Sequence, residues 1–137
     1  MRDDPDTSPV LVTLPPVTVA GVADVRERVA AAARETGLSP ERVNGFIIAV
    51  NEIVINAMEH GGGTAAVTMI LQVGRLVVEI TDTGTTPWRF LVPAQAPPPD
   101  QIHGRGLWLA DKLSDDITVD TTAGRRRVRL TVNAGAE

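Results

Sequence analysis

Apolar residues in the first half of the chain return at two different periods. Residues 10–14 form a short β-prone run stopped by Pro15-Pro16. Val22, Val25, Val29 and Ala32-Ala33 then recur every three or four residues, with Arg26, Glu27, Arg34 and Glu35 between them. That spacing predicts a helix with one apolar stripe. Gly37 is expected to end it. Ser39-Pro40 opens a second helix, because a serine side chain can cap free N–H groups and proline suits the first helical position. Val43, Phe46, Ile47, Val50, Val54 and Ala57 form the stripe of this second helix. It is predicted to run to Glu59 or His60, where Gly61-Gly62-Gly63 stops it.

Beyond the triplet of glycines the period changes to that of strands. The runs 65–73 and 76–81 flank Gly74-Arg75 and predict an antiparallel hairpin. From Asp82 to His103 the pattern breaks into Gly, Thr and five prolines (Pro87, Pro93, Pro97, Pro98 and Pro99). An irregular stretch of that length inside a small domain is a functional lid or a mobile loop, and residues 87–102 are assigned to the lid. A short helix fits 107–113, and 117–122 with 125–132 predict a closing hairpin around Ala123-Gly124. Residues 1–9, with three Asp and two Pro and almost nothing to bury, read as a mobile tail. Residues 10–137 read as one domain. The expected fold is α/β in the α+β sense: a two-layer α/β sandwich with helices on one face of a mixed sheet.

Composition narrows the functional classes. A chain of 137 residues fits one core, and 43% hydrophobic with 22% charged residues is ordinary for a folded domain. With 3% aromatics there is no stacking platform for single-stranded bases. A formal net charge of -4 argues against broad phosphate-backbone recognition, so direct nucleic-acid binding is not expected. The absence of cysteine removes disulfides, thiolate metal sites and cysteine nucleophiles, and it suits a cytoplasmic location. No apolar run approaches the ~20 residues of a membrane span, and no export signal is read.

Three short patterns carry candidate chemistry. On the second helix, Glu52, Asn56, Glu59 and His60 lie three and four residues apart, off the apolar stripe. An asparagine oxygen can serve a hard cation such as Mg²⁺, and a carboxylate one turn away can accept a proton. For this helix alone a solvated polar face is the plainer reading, and His60 reads as a helix-end residue favoured by the macrodipole. Asp82-Thr83-Gly84, directly after a strand, offers an acceptor-only carboxylate to an exocyclic amine and a glycine that lets a base approach the backbone. Gly104-Arg105-Gly106-Leu107 leads into a helix whose free N–H groups can cradle phosphate. Asp-x-Gly and Gly-x-Gly are common as turns, but their order around the Glu-Asn helix describes a nucleotide pocket. The run Arg125-Arg126-Arg127 with Arg129 reads as a half-solvated edge strand before it reads as a docking patch. Trp108 reads as a core anchor beside Leu107 and Leu109.

These segments resemble a known family. The run 49–61, with Glu52 and Asn56, looks like the N box of the histidine-kinase-like ATPases, the Bergerat fold. Asp82-Thr83-Gly84 with Pro87 looks like the first glycine box, and Gly104-Arg105-Gly106-Leu107-Trp108-Leu109 resembles the second. The likeness extends from about residue 17 onward and is greatest to small anti-sigma regulatory factors with serine/threonine kinase activity. The resemblance implies ATP and Mg²⁺ as cofactors. It implies Asn56 at the metal, Glu52 as general base, Asp82 and Gly84 at adenine, and Gly104, Arg105, Gly106 and Leu107 at the phosphates. It implies a cytoplasmic protein whose partners are a sigma factor and an anti-anti-sigma protein carrying the acceptor serine, with homodimer formation left open. The chain departs from the pattern at Thr86, where a second glycine often precedes the proline, and in a short, Pro-rich lid. The alternatives are a non-catalytic ATP-binding regulatory module and the catalytic subunit of a split histidine kinase.

Overall fold

The computed structural model describes residues 8–60, 65–82, 105–122 and 124–135. Strand β1 is Val10–Thr13; after a 3₁₀ turn at Val19–Gly21 come helices α1, Val22–Thr36, and α2, Pro40–His60. Strands β2, Ala66–Gln72, and β3, Arg75–Asp82, follow, then α3, Arg105–Leu113, and strands β4, Asp116–Thr122, and β5, Arg125–Asn133. The boundaries follow local chemistry. Gly37 takes φ 97 after α1 and its N–H closes onto the Arg34 carbonyl, a left-handed cap that suits glycine. Ser39 Oγ accepts the Arg42 N–H at 3.3 Å as the cap of α2.

One five-stranded sheet runs in the order β1-β2-β3-β5-β4. Every adjacent pair is antiparallel, so the sheet is not the mixed one the alternation of helices and strands suggests. The registers explain the difference. β3 and β4 run in the same direction, as the strand-helix-strand order through α3 requires, but β5 folds back from β4 and inserts between them. β2 separates β1 from β3 in the same way. Parallel strands are present, yet none are neighbours. This also places β5 inside the sheet, with β1 and β4 as the edges, so the arginine-rich strand is not an edge strand.

Alternate residues put one face of the sheet into the core. Across the strands, Val12, Met69, Val78, Leu130 and Ile117 form one row. Val67, Ile80, Val128 and Val119 form the next. These rows share a cluster with Val25 and Val29 of α1 and Phe46, Val50, Ile53 and Val54 of α2, so the helices cover a single face and the two-layer sandwich stands. The stripe predicted for α2 is buried apart from half-buried Ile47, and Ala49, Ile53 and Met58 are buried with it. α2 is wider in its burial than a one-sided stripe because it packs against α1, α3 and the sheet.

One end of the sandwich is locked by charge. Arg42 Nη2 donates to both carboxylate oxygens of Asp115 at 2.7 Å, and Arg42 Nη1 donates to the Asn133 carbonyl at 2.9 Å. The Asn133 N–H donates back to Asp115 Oδ2 at 2.6 Å, and the Asp115 N–H to the Thr131 carbonyl at 2.8 Å. The start of α2, the end of α3 and the end of β5 therefore meet here. Asp115→Ala is expected to lower the unfolding free energy by about 1.5–3 kcal/mol, the worth of charge-assisted hydrogen bonds. Urea denaturation measures this, and an unchanged midpoint would show the lock to be ornamental. Among the described residues no helix is long and apolar enough to cross a membrane.

Candidate functional site

The lock fixes the direction of the two helices that carry most of the candidate residues. α2 begins and α3 ends at the Asp115–Asn133 end of the sheet, and Gly45 faces Leu113, whose Cδ2 a β-carbon at 45 would meet at 3.2 Å. The helices pack along each other from that point. At about 1.5 Å per residue, going back from Leu113 to Arg105 covers roughly 12 Å, which is level with the α2 turn that holds Glu52 and Asn56. β3 runs to the same end and stops at Asp82. The α2 carboxylate and carboxamide, the strand-end carboxylate and the start of α3 thus all lie toward the end of the sandwich opposite the lock.

Their exposure differs in a way that bears on chemistry. Glu52 and Asn56 are half-buried whereas Glu59, one turn further, is exposed, so the polar face of α2 is not uniformly solvated. Asn51 Oδ1, one residue before Glu52, and Trp108 Nε1, in the first turn of α3, are buried without a hydrogen-bond partner. Unsatisfied polar atoms are rare in folded interiors and call for a water, ion or ligand group. Both lie on the helices that bracket the site. Trp108 is half-buried, and the Lys112 ammonium stands 5.9 Å from its ring centroid, so it is less a core anchor than a cover on α3.

Asp82 is the most enclosed of the group, 4% exposed. It stands opposite Arg126 in the β3–β5 register, and Arg126 donates to Asp82 Oδ1 from Nε at 3.0 Å and from Nη2 at 2.6 Å. Strand alternation accounts for this placement. Arg126 shares the inward phase with Val128, Leu130 and Val132, while Arg125, Arg127 and Arg129 point to the other face, where Arg129 pairs with Glu79. On an edge strand the Arg126 guanidinium would reach solvent, whereas the central position of β5 encloses it. The alternation Arg126-Val128-Leu130-Val132 was the available signal, since a guanidinium on the core phase of a central strand needs a carboxylate partner.

Gly84, Gly104 and the segment 87–102 assigned to a lid lie outside the described residues, as do the side chains of His60, Arg105 and Leu107. The backbone of 105–107 is helical, which puts Arg105 and Gly106 in the N-terminal turn of α3. There the first N–H groups of a helix have no intrahelical acceptor and favour an anion. An open groove lined by Ser39, Glu41, Arg42, Gly45, Lys112 and Asp115 lies at the opposite end of the sandwich, where Arg42 and Asp115 are paired. Among the described residues no cluster of His, Asp or Glu could hold a metal by itself. Asn56 with a substrate phosphate remains the donor set that suits Mg²⁺, which keeps waters and substrate oxygens as most of its ligands. The residues present fit a magnesium nucleotide: an acceptor for a base amine, amide and carboxylate groups one helical turn apart, and a helix N-terminus for phosphate.

The family model described as the histidine kinase-like ATPase domain matches residues 16–132. The chain is also similar to the crystal structure of the RsbU and RsbW domains of Rv1364c from Mycobacterium tuberculosis. The two share 23% sequence identity with a TM-score of 0.64 over 93% of this chain and 32% of that one. At that identity the likeness is one of fold, and this chain spans about a third of the other's length. No curated protein matches.

Proposed function

Since the chain belongs to the histidine kinase-like ATPase family, which implies ATP binding, we propose that it is a cytoplasmic ATP-binding anti-sigma factor with serine kinase activity. It sequesters a sigma factor and phosphorylates a serine of an anti-anti-sigma protein. The reading is supported by the placement of Asp82, Glu52, Asn56 and the start of α3 toward one end of the sandwich. Likeness of Leu107-Trp108-Leu109-Ala110 and Leu113-Ser114-Asp115 to the small anti-sigma kinases supports the choice within the family.

Each residue has a part in such a reaction. Bound ATP with Mg²⁺ supplies the γ-phosphoryl group and neutralises its developing charge. Asp82 accepts the amine of the base and so sets the depth of the nucleotide. Asn56 gives its carboxamide oxygen to the metal. The N-terminal turn of α3, with Gly104 and Gly106 removing side-chain bulk and with Arg105 and Leu107 beside them, holds the phosphates, and Gly84 lets the base approach. Glu52, one turn from Asn56, takes the proton of the attacking serine hydroxyl as its oxygen bonds to phosphorus and ADP leaves.

The test is an ATP titration with and without Mg²⁺, followed by transfer of labelled γ-phosphate to candidate anti-anti-sigma proteins. Magnesium-dependent binding and label on a serine are expected. Failure to bind ATP would remove the reading altogether. Binding without transfer to any candidate, joined with tighter sigma-factor binding when ATP is present, would convert it to the non-catalytic module.

A further inference from the structure

We propose that Arg126 is a positioning residue for the nucleobase, acting through Asp82 and setting the preference for an adenine ring. The inference deepens the reading above and rests on it. Its ground is the buried pair at the site end of the sheet, in which the Arg126 and Asp82 side chains are 7% and 3% exposed.

A guanidinium on the core-facing phase of a central strand is a costly residue. Its desolvation is offset only by close, well-directed partners, and a pair of well-packed apolar residues serves a core at least as well. The other core-phase residues of β5, Val128, Leu130 and Val132, are apolar. The exception falls where β3 ends in the candidate base-reading carboxylate. Two N–H groups of one rigid, planar fork converge on the same oxygen, Oδ1, and so fix the position of that oxygen. A single hydrogen bond from a base amine is weak discrimination when its acceptor can turn, and strong when the acceptor is fixed in direction. Arg126 supplies that fixing from the neighbouring strand.

The consequence is measurable as base selectivity, which a merely structural arginine would leave alone. The full chain is titrated calorimetrically with ATP, with GTP and with the ATP analogue that lacks the exocyclic amine. The proteins are wild type, Arg126→Gln and Arg126→Lys. In wild type, ATP is expected to bind at least about tenfold tighter than the amine-free analogue, the worth of one charge-assisted hydrogen bond. In Arg126→Gln that ratio falls close to one, and in Arg126→Lys, which keeps the charge without the fork, it recovers in part. Should Arg126→Gln fail to fold, the lysine variant carries the measurement, with a reduced ratio.

Three outcomes overturn the proposal. One is a lowered melting temperature with an unchanged ratio, which makes the pair structural only. Another is tighter ATP binding in Arg126→Gln, which makes the guanidinium a competitor of the amine. The third is no nucleotide binding by wild type, which removes the functional reading as well. Retained selectivity in the variants, with selective binding by wild type, fails this inference alone.

Discussion

In the Asp82→Asn protein, ATP is expected to give little of the thermal stabilisation it gives to wild type, and the protein without nucleotide is expected to be less stable too. Two effects are combined. Replacing the carboxylate removes a charged acceptor from an enclosed position, so the nucleotide loses about 1.5–3 kcal/mol of binding free energy. The same change takes the anionic partner from the buried Arg126 guanidinium. Removing one member of a buried pair costs about 3–5 kcal/mol, with the low end expected here because the amide oxygen remains an acceptor. Melting curves with and without nucleotide separate the two. Asp82→Asn/Arg126→Gln should recover part of the stability lost without nucleotide and none of the nucleotide response. Full ATP-dependent stabilisation of a folded Asp82→Asn protein would remove Asp82 from the base site and leave the pair as a structural feature.

The second large effect concerns catalysis. Glu52→Gln keeps size and polarity at a half-buried position of α2, so ATP affinity is expected to stay close to wild type. Phosphate transfer to an anti-anti-sigma serine should fall by about 10² to 10⁴, the usual cost of removing a general base. Asn56→Ala should behave differently, weakening magnesium-nucleotide binding and transfer together, because a metal contact serves both. The comparison needs a titration and a transfer assay on each folded variant. Equal transfer by wild type and Glu52→Gln would end the assignment of the base. A loss of ATP affinity in Glu52→Gln as large as in Asn56→Ala would place both residues at the metal.

Much of the architecture was legible without coordinates. The two helices were marked by apolar residues at helical spacing and by local stop and start chemistry at Gly37, Ser39 and Pro40, all of which depend on neighbours within a turn. The hairpins were marked by Gly74 and Gly124, whose φ values of 74 and 77 belong to the left-handed region that glycine enters freely. The candidate residues themselves, Glu52, Asn56, Asp82 and the Gly-x-Gly segment, could be named from their order along the chain.

What lay beyond the sequence were relations between segments distant along it. The insertion of β5 between β3 and β4 decides that the sheet is antiparallel, and no local pattern distinguishes that order from direct pairing of parallel strands. The Arg42–Asp115 lock, spanning 73 positions, sets the direction of α3 along α2 and so brings its start to the Glu52–Asn56 turn. The β3–β5 register sets Asp82 opposite Arg126 and separates that arginine from its three neighbours on the other face. Side-chain period and capping are short-range and can be read residue by residue. Strand order and register are chosen by burial of the whole apolar face at once, so they, and the partner of the site carboxylate, were decided only by the tertiary fold.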